Sequence, residues 1–182
     1  MNVWHMAPRE RIKPDDFLAC IEISKGSKNK YELEKQTVTL ILDRILYTST
    51  HYPQNYGFIP LTYAEDHDPL DVLVLSSESI VPLALVECTP IGVLEMIDGG
   101  LLDEKIIAVC KNDPIYNYYK DIRELPPHIV SEIRHFFRVY KQLENKKTIV
   151  NEMKGAGHAR DVIAKSLRSY EEKFVEDKPF SK

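Results

Sequence analysis

Glu65-Asp66-His67-Asp68-Pro69-Leu70-Asp71-Val72-Leu73-Val74-Leu75 places three aspartates within six positions at the entrance of an apolar run. The run predicts a strand over Val72–Leu75. In extended backbone, side chains at i and i+2 share a face, so Asp66 and Asp68 point one way and Asp71, at odd spacing, points elsewhere. Pro69 changes that outcome. Its fixed φ keeps Asp68 extended and favours a turn at Pro69-Leu70, which swings Asp71 round to the other two. Three carboxylates gathered without counter-ions push up one another's pKa values, so the cluster calls for hard cations such as Mg²⁺. A solvated acidic turn is the favoured account of two nearby aspartates, but a poorer one of three around a proline at a strand mouth.

Upstream, Phe17-Leu18-Ala19-Cys20-Ile21-Glu22-Ile23 reads as a buried strand between Pro14 and the turn Gly26-Ser27-Lys28-Asn29. Glu22 is anomalous in it, and requires either a cation nearby or a water-facing edge. Lys30-Tyr31-Glu32-Leu33-Glu34 alternates strictly and is expected to be the second arm of a hairpin. A third strand is expected over Thr37–Leu42, with Asp43-Arg44 at its end. Taken alone, Arg44 reads as a surface residue paired with Asp43. Tyr52-Pro53-Gln54-Asn55-Tyr56-Gly57-Phe58-Ile59-Pro60 turns tightly, and its composition favours packing for Tyr56 over an offered phenol.

Downstream, Pro90–Ile97 and Lys105–Cys110 are two more expected strands, joined through Asp98-Gly99-Gly100-Leu101-Leu102-Asp103-Glu104. The glycine pair allows a sharp turn, so Asp98 and Asp103 flank a hairpin loop and can face one point. From Pro126 the apolar period changes. Ile129, Ile133, Phe136 or Phe137, Tyr140 and Leu143 predict an amphipathic helix over 127–144, with Tyr140 on the stripe and Lys141 at its border. A loop is expected over 151–157, then a second helix from Ala159 through Phe174 that stops before Pro179. Strands first and helices last imply an α+β, mainly β class, and several short consecutive strands favour a small closed or partly closed barrel. The 182 residues are expected to form one domain over 1–182.

Composition narrows the function. The formal net charge of -4 and the lack of a basic aromatic face argue against a nucleic-acid partner. Cys20, Cys88 and Cys110 are odd in number, far apart and set in apolar surroundings, as buried thiols of a reducing compartment are. The amino-terminal stretch lacks a signal-peptide core, and 45–64, the longest run without Asp, Glu, Lys or Arg, is broken by Pro53, Gly57 and Pro60. A cytoplasmic location without membrane association is expected.

Asp66-His67-Asp68-Pro69-Leu70-Asp71-Val72 resembles, position by position, the signature of the soluble family I inorganic pyrophosphatases. Ile21-Glu22-Ile23, Lys30-Tyr31-Glu32, Asp43-Arg44, Tyr52-Pro53-Gln54-Asn55-Tyr56-Gly57, Asp98 with Asp103-Glu104-Lys105, and Phe136-Phe137-Arg138-Val139-Tyr140-Lys141 resemble its other blocks in order. Asp43–Tyr47 and Lys105–Cys110 are most similar to the plant-like branch. The resemblance implies a five-stranded closed barrel of the oligonucleotide/oligosaccharide-binding (OB) type, with extra hairpin strands and two principal C-terminal helices packed outside. It implies that Asp66, Asp71 and Asp103 hold a first Mg²⁺, that Asp71 bridges to a second, and that Asp98 with Asp103 takes one arriving with substrate; Mn²⁺ or Zn²⁺ are possible substitutes. Glu22 and Glu32 would complete the acidic cavity. Lys30, Arg44, Tyr56, Tyr140 and Lys141 would bind phosphates, and Lys105 would balance the carboxylates or touch substrate.

The implied reaction is hydrolysis of pyrophosphate to two orthophosphates by a metal-bridged hydroxide, with Asp68 as general base, in a chain that can form a homo-oligomer. Residue chemistry agrees, because a multiply charged anion repels a nucleophile until cations neutralise its oxygens. Two positions depart from the family pattern: Gly99 stands where many members are acidic, and Leu83 where relatives often have glycine. A calcium loop is the weaker reading, since the segment lacks the central glycine and terminal glutamate of an EF-hand. An aspartyl-phosphate phosphatase needs its strand before the aspartates, not after them. From another class, a catalytically weak metal-binding barrel serving a partner or regulatory role is the remaining alternative.

Overall fold

The computed structural model describes residues 2–176. After a short helix α1 (Val3–Met6) come β1 (Phe17–Ile23), β2 (Asn29–Leu33), β3 (Leu40–Ile45), β4 (Asn55–Phe58), β5 (Asp71–Leu75), β6 (Leu85–Asp98) and β7 (Leu101–Cys110). Helix α2 (Pro127–Val139), strand β8 (Thr148–Gly155) and helix α3 (Ala156–Glu171) follow, the last running into a π turn over Glu172–Glu176. The strand order β1-β4-β5-β7-β6 closes through a further β1–β6 pairing, so five strands form a ring. β8 adds to the far side of β6, and β2 with β3 make a separate two-stranded sheet. The mainly β barrel with two C-terminal helices is thus the expected architecture.

Alternation along the strands divides the core. Val72, Val74, Ile106 and Ala108 pack with Ala159, Val162 and Ile163 of α3. Their neighbours Leu73, Leu75, Ile107 and Val109 pack with Ile133, Phe136 and Phe137 of α2. β5 is therefore apolar on both faces, which is why its sequence reads as an unbroken hydrophobic run. It lies parallel to β7, with Asp71 opposite Lys105.

Five local expectations are corrected. β2 pairs with β3, whereas β1 pairs with β4 and β6; alternation fixes which faces β2 presents, not its partner. The third strand lies three residues later than expected, so Asp43 and Arg44 are inside it. The region 151–157 is not a loop: most of it is β8, whose polar residues lie exposed while Val150 and Met153 pack inward. Helix α2 ends at Val139, with Tyr140 as its C-cap and a 3₁₀ turn over Gln142–Glu144 beyond Lys141. The second helix begins at Ala156 rather than Ala159. Its expected limit at Pro179 lies outside the described residues.

Candidate active site

The loop that carries the aspartates is shaped by local chemistry. Thr62 donates from its hydroxyl to the Ile59 carbonyl at 2.6 Å and accepts from the Leu70 N–H at 2.8 Å, fastening both ends of the excursion. His67 takes a left-handed φ of 70° between Asp66 and Asp68. Leu70 is buried, so Asp71 emerges at the first position of β5. The expected convergence is observed: Asp66, Asp68 and Asp71 line one cavity of about 280 Å³.

The other walls come from distant parts of the chain. Asp98 and Asp103 stand on opposite arms of the β6–β7 hairpin, Glu22 comes from β1, Lys30 and Glu32 from β2, and Tyr56 from β4. Tyr140 and Lys141 enter from the end of α2. Lys105 is 4% exposed and places its Nζ 2.5 Å from Asp71 Oδ2 and 2.7 Å from Asp103 Oδ1. Burial opposes its charge, but the two carboxylates outweigh burial and raise its pKa well above the usual lysine value. Its ammonium is also 5.7 Å from the centre of the Tyr56 ring and 5.8 Å from that of Phe137. Lys141 pairs with Asp98, and Lys30 with Glu32 and Asp43.

The acids are held under electrostatic pressure. Burial pushes Glu22 up to about 8, although its carboxylate accepts a 2.7 Å bond from the Leu33 N–H, and neighbouring Asp71 adds to the rise. The water-facing reading of Glu22 is therefore replaced by a buried carboxyl on the cavity wall. Asp66 is pushed up to about 6 by burial and then by Asp71. Asp103 is raised by burial and by Asp71, with Lys105 acting against both. Tyr56 and Tyr140 are buried phenols whose pKa values burial raises, so both remain protonated hydrogen-bond donors at neutral pH.

Of the expected site residues, Arg44 alone does not line this cavity. It pairs with Asp43, and its Nε lies 2.8 Å from Glu144 Oε1, while Nη2 is buried without a hydrogen-bond partner. Asp43 pairs with Arg44 as expected, and Tyr52 of the Tyr52–Gly57 block lines the cavity; Glu144, Lys35 and Trp4 also belong to the site or its supports, with no signal in the sequence. None of these three sits in a chemically suggestive spacing. A separate set of donors, Glu95, Glu104 and His158, brings ligand atoms within 4.8 Å of one another, but Glu95 already accepts from Lys154 and hydrogen-bonds His158.

The family model described as inorganic pyrophosphatase matches residues 19–171. The chain belongs to the inorganic pyrophosphatase family. It is 48% identical to soluble inorganic pyrophosphatase 2 of Chlamydomonas reinhardtii, over 94% of this chain and 90% of that one. It is 50% identical to soluble inorganic pyrophosphatase PPA1 of Solanum tuberosum, over 93% of this chain and 80% of that one. These relatives agree with the expected likeness to the plant-type members. Among solved structures, the inorganic pyrophosphatase of Thermus thermophilus superposes with a TM-score of 0.89 at 35% identity, covering 94% of this chain and 99% of that one. The Helicobacter pylori enzyme gives 0.85 at 42% identity, over 88% and 96%.

The two departures from the family pattern have visible backbone settings. Gly99 and Gly100 adopt φ of 57° and 83°, the doubly left-handed tip of the β6–β7 hairpin. Leu83 adopts φ 67°, a conformation that a glycine would take without strain.

Proposed function

We propose that the protein hydrolyses inorganic pyrophosphate to two orthophosphates and that it does so with Mg²⁺. The observation that carries this reading is the composition of one cavity: Asp66, Asp71, Asp98 and Asp103 are interleaved with Lys30, Lys105 and Lys141. The acids and cations in this wall match an anionic substrate accompanied by metal. All the acidic donors are oxygens, the set preferred by hard divalent cations. Seven carboxylates line this cavity against four lysines, and burial first, then neighbouring acids, raise Glu22, Asp66 and Asp103.

In this reading Asp66, Asp71, Asp98 and Asp103 would hold the metal ions, with Glu22 and Glu32 completing the acidic wall. Mn²⁺ or Zn²⁺ can take the same donors. Mg²⁺ held there would supply charge to screen the phosphate oxygens and would lower the pKa of a bound water. Lys30, Lys141, Tyr56 and Tyr140 orient the substrate by donating to its oxygens. Lys105 keeps Asp71 and Asp103 together. Asp68 accepts the proton of the attacking water as its oxygen bonds to one phosphorus and the bridging P–O bond breaks. The leaving phosphate is met by Lys30, Lys141 and Tyr140, and no covalent enzyme intermediate is needed. Arg44, opposite Lys30 on the β2–β3 ladder, joins them by exchanging Glu144 for a phosphate oxygen. The chain works as a single domain, in a reducing cytoplasm that suits its free thiols: burial pushes Cys20 up to about 12 and Cys88 well above the usual thiol value. No helix among the described residues is long and apolar enough to cross a membrane.

Phosphate release from pyrophosphate, measured between neutral and alkaline pH with Mg²⁺ or with chelator, tests the proposal. Turnover that requires the metal is expected; no turnover with Mg²⁺ refutes it. Asp68→Asn is expected to retain metal binding by titration calorimetry and lose most turnover, whereas Asp71→Asn loses both.

A further inference from the structure

We propose that Lys35 is a positioning residue for Asp68, held in place by the amino-terminal segment; the idea rests on Asp68 acting as the base. Lys35 lies in the turn between β2 and β3, outside the motif blocks. Its ammonium pairs with the Asp68 carboxylate, and both side chains line the cavity. Asp68 is 51% exposed, so without a partner its carboxylate is free to rotate into solvent. The lysine confines it to the cavity rim.

Lys35 is itself anchored from behind. Asn2 Nδ2 donates to the Lys35 carbonyl at 2.9 Å, and the ammonium lies 5.9 Å from the centre of the Trp4 ring. Asn2 and Trp4 are 1% and 5% exposed, and the Asn2 side chain caps the helix that carries Trp4. Trp4 is tied in turn to the aspartate loop: its Nε1 donates to the Thr62 carbonyl at 2.9 Å, and its carbonyl accepts from the Leu61 N–H at 2.9 Å. One short segment therefore holds the Lys35 turn on one side and the Asp68 loop on the other. Neither contact repeats the acid–lysine pairing inside the cavity, because Lys35 is 59% exposed at its mouth. That exposure sets the scale of the effect. An ion pair shared with water changes a rate by about three- to fivefold, not by orders of magnitude.

Steady-state kinetics at saturating Mg²⁺ provide the test. Lys35→Met is expected to lower kcat about three- to fivefold, with KM within about twofold and the thermal midpoint unchanged, while Lys35→Arg restores kcat. In an Asp68→Asn background, adding Lys35→Met is expected to cost nothing more. A rise in KM at constant kcat makes Lys35 a substrate contact and overturns the proposal, as does an equal loss of kcat in the Asp68→Asn background. If Asp68→Asn impairs turnover and Lys35→Met does not, positioning fails while the base assignment stands. If Asp68→Asn turns over normally, the base assignment fails and takes the proposal with it.

Discussion

Lys105 on β7 stands directly opposite Asp71 on β5, and its ammonium reaches both Asp71 and Asp103, two residues back on its own strand. A buried cation thus joins two carboxylates that would otherwise repel. Removing it leaves both acids without their partner in a largely desolvated wall. Lys105→Met is expected to destabilise the metal-free protein by about 3 kcal/mol in urea unfolding, the order of cost for breaking a buried pair. Added Mg²⁺ should recover part of that loss. An unchanged midpoint in chelator would show that the pair carries no stability.

Glu22 makes stability depend on pH. Its folded pKa of about 8 lies above the ordinary 4.5, so between those values the folded state keeps a proton that the unfolded chain has released. Stability of the metal-free protein must therefore fall as pH rises through that window, and Asp66, raised to about 6, acts with the same sign. Thermal melts in chelator between pH 5 and pH 8 should show midpoints lower by about 5 °C or more at the alkaline end. Glu22→Gln should flatten most of that slope.

Gly57 sits where β4 meets β1, and a Cβ there would lie 1.9 Å from the Cys20 carbonyl oxygen. The obstacle is backbone, so it cannot swing aside. Gly57→Ala is expected to cost about 3 kcal/mol, lowering the thermal midpoint by about 10 °C. Displacement of the adjacent Tyr56 should also raise KM for pyrophosphate. A midpoint within about 2 °C of the parent would contradict the close approach.

Leu83 offers the opposite opportunity. Its left-handed φ of 67° is strained for leucine, while its N–H donates to the Ile21 carbonyl at 2.7 Å and its side chain is 43% exposed. Leu83→Gly removes the strain and keeps the hydrogen bond. Relief of strain less the added freedom of the unfolded chain leaves a gain of about 0.5–1 kcal/mol, readable as a midpoint about 2 °C higher with kcat unchanged.

These residues also show what could be read before folding was known. Val72–Leu75 and Phe17–Ile23 announced themselves because strands buried on both faces have no polar alternative. Asp66, Asp68 and Asp71 converge as expected, but through a turn over Glu65–Asp68 with a left-handed His67 and not through a turn at Pro69-Leu70. β8 stayed hidden because Asn151, Glu152 and Lys154 face water, leaving an edge strand with too few apolar positions to mark its period. The partner of β2 could not be known from alternation, which describes faces only. Lys35, Asn2 and Trp4 were invisible for a different reason. Their meaning lies in contacts with Asp68, Lys35 and Thr62 across 33, 33 and 58 positions, and no local pattern encodes such distances.

The parallel alignment of β5 with β7 has a consequence for what a partly folded chain can bind. Asp71 and Asp103 come together only when the chain between them has gone out along β6 and returned along β7, so their encounter is a long-range contact. A partly folded chain, even one with its hairpin formed, owns the acids but not the cavity. An ion held by both Asp71 and Asp103 would therefore bind the assembled sheet and not a chain with only its hairpin formed.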